Sequence, residues 1–172
     1  MGNRIKKGFI HKFGDDINTD YIISSRYKRD TTDCEVLKKY IFADIRENFF
    51  ENIRPEDILA AGHNFGCGSA MEVAAMVVKA AGFNIVIAKS FAGSFYRNGM
   101  NNGILLIEAD TDFLEDGDLL EIKLDEKNLL TALTSKNTVV SLGAVNPINK
   151  ALFDEGGLVE YVNKYNRLPV AF

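Results

Sequence analysis

The spacing of apolar positions changes several times along the chain, and each change predicts an element. Residues 7–13 read as a first strand, followed by Gly14-Asp15-Asp16-Ile17-Asn18-Thr19-Asp20, a polar stretch of turn residues. After the short apolar step Ile22-Ile23, the run Ser24-Ser25-Arg26-Tyr27-Lys28-Arg29-Asp30 reads as an exposed basic loop. Thr32-x-x-Glu35 has the form of a capping box and opens a helix to about residue 43, with Val36, Leu37, Tyr40 and Ile41 at helical spacing. Arg54-Pro55-Glu56-Asp57 is a turn. Residues 58–61, 85–88 and 104–107 are short, wholly apolar strands. Between them, the pattern predicts helices over 69–81, stopped by Gly82, and over about 91–100. This strand–helix alternation favours right-handed parallel crossovers.

After Asp116-Gly117-Asp118 the character changes. Residues 119–124 and 138–142 alternate like strands, with a polar turn region between them. Pro147 suits the first turn of a helix to about residue 154, Gly156-Gly157 breaks it, and 158–165 form a last helix. No repeat of 20–50 residues and no low-complexity segment interrupts the chain. The expectation is one mixed α/β domain over residues 1–172.

Composition narrows the function. A chain of 172 residues with 47% hydrophobic and 26% charged residues can bury a real core without staples. Its net charge of −4 lacks the basic excess of a nucleic-acid binder, so no nucleic-acid partner is expected. No apolar run reaches the ~18 residues of a membrane span. The basic start, residues 1–7, leads into no apolar segment of a secretory signal, so the expected compartment is the cytoplasm. Two cysteines, Cys34 and Cys67, make no disulfide framework and are too few for an iron–sulfur cluster, which takes about four thiolates. With His11 and His63 as the two histidines, a four-ligand zinc site is not expected either, and no metal is assigned to this chain.

The most informative segment is His63-Asn64-Phe65-Gly66-Cys67-Gly68-Ser69-Ala70-Met71-Glu72, which runs from the end of a strand into a helix. Glycines there let a backbone approach a ligand, and free N–H groups at a helix start favour an anion. The segment has no Walker A lysine, Met71 stands where a dinucleotide fingerprint needs its third glycine, and no Gly-x-Ser-x-Gly elbow is present. Ser69 with Glu72 also forms a Ser-x-x-Glu capping box, which by itself accounts for both residues.

Four ordered motifs, covering nearly the whole chain, resemble one family. They are Gly14 to Ile23, Asn64-Phe65-Gly66-Cys67-Gly68-Ser69, Ala88-Lys89-Ser90-Phe91-Ala92, and Phe95-Tyr96-Arg97-Asn98; Gly156-Gly157-Leu158 with Tyr161 fits as well. Together they resemble the small subunit of isopropylmalate isomerase (3-isopropylmalate dehydratase), itself similar to the swivelling domain of aconitase. The resemblance implies a three-layer β/β/α domain with a mixed sheet and a βαβ core. It implies a hydro-lyase that moves a hydroxyl to the neighbouring carbon of a hydroxy-di- or tricarboxylate by dehydration and rehydration, in branched-chain amino-acid (leucine) biosynthesis. It also implies a large-subunit partner, in a heterodimer or heterotetramer, that carries the 4Fe-4S cluster whose iron acts as a Lewis acid.

Residue by residue, Asp20 matches the family's aspartate near the active site, and Ser69 the first serine of its Gly-Ser-Ser-Arg-Glu sequence. Gly66, Cys67 and Gly68 match the substrate-binding loop. The second serine, the base of aconitase-type catalysis, is Ala70 here, and the substrate-binding arginine is Met71. The family's Ser-Phe-Ala-Arg ends in Gly93, and Val73 stands where a histidine is frequent. Alanine cannot abstract a proton and methionine cannot clamp a carboxylate. Three readings follow: a related dehydratase with another substrate, such as a homoaconitase-like or 2,3-dimethylmalate-type enzyme; Ser69 as the replacement base; or a degenerate anion-binding or regulatory subunit that only closes the site. Lys28 and Arg29 lie where the family's substrate-selecting loop would be, and two cations there suit a distal carboxylate; as a plain basic loop they would be solvated.

Overall fold

The computed structural model describes residues 3–170. Among them, seven strands form one mixed sheet: β1 (Asn3–Lys12), β2 (Ile58–Ala61), β3 (Ile85–Ala88), β4 (Leu105–Glu108), β5 (Leu119–Leu124), β6 (Leu129–Thr134) and β7 (Val139–Ala144). Their order is β4-β3-β2-β1-β5-β6-β7. The first four strands run parallel, and β5 to β7 form an antiparallel meander. β1 belongs to both halves, setting Ile10 against Ile58 on one side and Phe9 against Leu119 on the other. The helices are α1 (Thr19–Ile22), α2 (Cys34–Leu37), α3 (Glu72–Ala80), α4 (Gly93–Asn101), α5 (Pro147–Glu155) and α6 (Leu158–Tyr165). Among the described residues no helix is long and apolar enough to cross a membrane.

Strand alternation sorts the apolar side chains into two cores. Leu59, Ala61, Val86, Ala88 and Leu106 pack on the helix side, with Val77 and Val78 of α3 and Phe95 of α4. Ile58, Ala60, Ile85, Ile87 and Leu105 face the other way, onto Leu120, Ile122, Leu130, Ala132 and Leu142. The antiparallel half therefore folds back over the parallel half, and the molecule has three layers: antiparallel strands, parallel strands, helices. Burial on both faces is why β2 and β3 read as unbroken apolar runs.

Several local expectations need correction. β6 occupies the stretch expected to be a polar turn; its inward residues are Leu130, Ala132 and Thr134. The cap of α2 is Asp33, whose side chain accepts from Glu35 N, and not Thr32. That helix ends at Leu37, continues as a 3-10 turn over Lys38–Tyr40, and does not reach residue 43. The cause is burial. Phe42 takes a φ of +54° and its N–H bonds Ile22 O at 3.0 Å, which turns the chain so that Phe42 stacks on Phe13. α3 starts at Glu72, three residues later than expected, so Ser69 caps nothing. At its far end Gly82 follows the last turn at φ +107°, as expected. The run at residues 24–30 is no open loop but a 3-10 turn over Ser25–Lys28.

The free side of β4 is closed by one side chain. Asn149, fully buried on α5, accepts from Leu106 N at 2.8 Å and donates to Ile104 O at 2.7 Å. Asn149→Leu keeps the volume but strands both backbone groups. It is expected to cost about 2–4 kcal/mol, read as a lower urea midpoint at unchanged m-value.

Candidate active site

β1, β2 and β3 each release a polar loop at the carboxyl end, where open α/β sheets bind their ligands. Backbone bonds join these loops. Gly62 N donates to Gly14 O at 3.0 Å, Asp16 N to His63 O at 2.8 Å, and Gly66 N to Ile17 O at 2.7 Å. Thr19 N donates to Cys67 O at 2.9 Å, and Asn18 and Cys67 form a parallel bridge. On the other side Phe65 N reaches Ser90 O at 3.0 Å and Ala92 N reaches Phe65 O at 2.9 Å.

Side chains fix the same seam. Asp15 Oδ1 accepts from His63 N at 2.6 Å, and Asn64 Nδ2 donates to Asp16 Oδ1 at 2.8 Å. Asp16 and Asn64 both sit in the left-handed region, which their short polar side chains tolerate. Buried Thr19 donates through Oγ1 to Ser69 O at 3.0 Å. Gly66 has a φ of +78°, and a Cβ there would fall inside the Phe95 side chain, so this turn admits glycine alone.

The loop residues divide. Gly66 is buried and its amide is used by Ile17. Among the described residues the amides of Gly68 and Ser69 meet no acceptor, and both residues are exposed. Among the described residues Ser69 Oγ makes no hydrogen bond, while its carbonyl is pinned by Thr19. The first turn of α3 has no side-chain cap, so its N–H groups add to the local donor excess.

Asp20 and Lys28 meet beside this loop. Asp20 Oδ1 accepts from Ser25 Oγ at 2.7 Å and lies 3.7 Å from Lys28 Nζ. Lys28 Nζ also contacts Met71 Sδ at 2.9 Å, and its side chain is only 16% exposed. The two cations expected to bind a distal carboxylate therefore differ in their surroundings. Lys28 turns inward onto the residue two places after Ser69. Arg29 is exposed and has no ion-pair or hydrogen-bond partner among the described residues.

Thr19, Asp15 and Ser90 hold the loops and were not singled out as site residues from the sequence. Their one signal is position: each lies in a turn-forming stretch directly after a strand. For metal binding, the described residues contain no group of three or more His, Cys, Asp or Glu able to hold an ion. Burial, helped by Asp33 and Glu35, pushes the Cys34 thiol above its usual pKa, away from the thiolate that a metal needs. The chain's own donors do not fit an iron–sulfur cluster.

Comparison with known proteins shows the family of the chain. The family model described as the aconitase C-terminal domain matches residues 16–112, from the first of these loops to just past β4. The methanogen homoaconitase small subunit of Methanocaldococcus jannaschii is 44% identical over 160 residues, covering 93% of this chain and 92% of its own. The 3-isopropylmalate dehydratase small subunit of Wolinella succinogenes is 39% identical over 161 residues, covering 91% of this chain and 93% of its own. A crystal structure of 3-isopropylmalate dehydratase from Methanocaldococcus jannaschii superposes with a TM-score of 0.83 at 41% identity, covering 93% of this chain and 94% of the other. Agreement at this level, over almost the full length of both chains, extends from the joined loops to the three-layer core: the chain belongs to the aconitase C-terminal domain family, among its dehydratase small subunits.

Proposed function

We propose that this chain is the small subunit of a 3-isopropylmalate dehydratase-like hydro-lyase, which isomerises a hydroxy-acid by dehydration and rehydration with a cluster-bearing large subunit. The observation that carries the reading is the concentration of unused donors at one spot: two loop amides, an uncapped helix start and the Lys28 ammonium. A thioether is a weak acceptor, and Asp20 at 3.7 Å is beyond hydrogen-bond range, so Lys28 keeps N–H groups for a substrate carboxylate. Its cation offsets the loss of charge implied by methionine at position 71. Ser69 Oγ, without a hydrogen-bond partner among the described residues, is the group assigned to take and return the proton. Asp20 orients Lys28 and Ser25. Gly66, Cys67 and Gly68 shape the loop so that its amides face the substrate.

The test is co-expression with a large subunit, anaerobic reconstitution and a screen of substituted malates. The two-subunit enzyme is expected to turn over hydroxy-acids. The chain alone, given iron and sulfide, is expected to show neither cluster absorbance nor turnover, because its thiols are too few. Cluster and activity from this chain by itself would refute the division of labour.

Arg29 favours a second, homoaconitase-like reading of the substrate. An unpaired guanidinium on the turn that also carries Lys28 suits a distal carboxylate, which it can hold in two parallel hydrogen bonds. Arg29→Leu is expected to raise KM for tricarboxylates by about tenfold or more while changing kcat little, and to favour apolar-tailed malates relatively. Equal KM values across the panel would leave Arg29 a plain surface residue.

A further inference from the structure

A cavity of about 570 Å³ opens beside β1 and shares no lining residue with the loop cluster. Its volume is that of a small-molecule site. Asp57, 1% exposed, accepts from Phe9 N at 3.2 Å, from Arg54 N at 2.8 Å and from His11 Nε2 at 2.6 Å. The His11 ring is further held edge-on to Phe49 and Phe83. A carboxylate so occupied has little left to offer a ligand. Asp116, the other acid of the lining, already takes Lys12 N at 2.7 Å and Arg46 Nη1 at 3.2 Å through one oxygen.

The donors are in the opposite state. The Arg54 guanidinium lies 4.6 Å over the Phe9 ring and, among the described residues, has no carboxylate or carbonyl partner. Arg46 stacks over Phe13 and donates to Asp116 and to Lys12 O, with N–H groups to spare. Phe9, 36% exposed, keeps part of its ring open beside Arg54, and the buried Phe49 forms part of the wall behind it.

From this surplus of donors over acceptors beside one partly exposed aromatic ring, we infer that the cavity binds a small organic carboxylate with an apolar body. The carboxylate pairs with Arg54 and the apolar body packs against the part of Phe9 that Arg54 leaves exposed. This site is independent of the reading of the loop cluster.

Phenylacetate is the probe, titrated into the full chain while the guanidinium signal of Arg54 and the ring signals of His11 are followed by NMR. Saturable shifts of both are expected. Arg54→Gln should weaken binding about tenfold or more, the scale of a charge-assisted pair. Its backbone N–H, which holds Asp57, is untouched, so the variant should fold. Phenylacetamide, isosteric but neutral, should bind about tenfold or more weakly. Lys28→Gln should leave the titration unchanged. No saturable shift, equal affinity for the amide, equal affinity of Arg54→Gln, or shifts confined to Lys28 and the Gly68 amide would each overturn the assignment.

Discussion

Ser69→Ala is expected to lower kcat of the two-subunit enzyme by roughly 10²-fold, the scale of a general base, and to leave the melting temperature of the chain where it is. The two halves of this expectation rest on one geometric fact. α3 begins at Glu72 with Met71 at the cap position, so the Ser69 hydroxyl satisfies no helix N–H. A capping serine would cost about 1 kcal/mol when removed; this one has no such bond to lose. The loop is held instead by the Ser69 carbonyl, which alanine keeps. Stopped-flow or steady-state turnover with calorimetry on the same preparation decides the matter. A melting shift with unchanged kcat would make Ser69 structural, and no change in either would remove it from the site.

Phe49→Ala is expected to be the most damaging substitution in the core, at about 3–5 kcal/mol, on the scale of a fully buried aromatic. Phe49 is 2% exposed and lies at the centre of a ring cluster. It meets Phe13 edge-on at 5.3 Å, Phe42 at 5.4 Å and His11 at 5.1 Å, and stacks on Phe83 at 6.2 Å. Such pairs add to the transfer term of burial. At the size of this chain the loss corresponds to a fall in melting temperature on the order of 10 °C. Phe49→Leu should recover much of it by filling the void, and equal loss for Leu and Ala would show that ring geometry matters more than volume.

The parallel half of the sheet was legible because β2, β3 and β4 lie between two layers, and burial on both faces leaves an apolar run that needs no partner to be recognised. β6 was not. Its inward residues end in Thr134, and the turn formers Asp125 and Asn128 before it and Ser135 and Asn137 after it carry the stronger local signal. Its pairing with β5 and β7 is a contact between segments that local pattern does not contain. The same holds at the site. Ser69-x-x-Glu72 is a sound local capping pattern, overruled by Thr19 from fifty residues away. Lys28 reads as solvated within a basic run. In a 3-10 turn successive side chains point about 120° apart, so Lys28 goes inward while Arg26 and Arg29 stay exposed. Ala70 and Met71 told of a changed site; only the fold brings Lys28 to Met71.

The Asn149 clamp has a consequence for the order in which the chain is made. β4 is the outermost parallel strand, and a bare strand edge is a template for a second copy. The groups that Asn149 covers belong to residues synthesised more than forty positions earlier. During elongation, therefore, β1 to β4 can assemble while that edge stands open, and it closes only when α5 has emerged and docked. Nascent chains crowded on one message are exposed to edge-to-edge association throughout this interval. A single asparagine near the end of the sequence thus serves as a stop on lateral growth, and its loss should show first as insoluble protein in the cell, before any melting curve is measured.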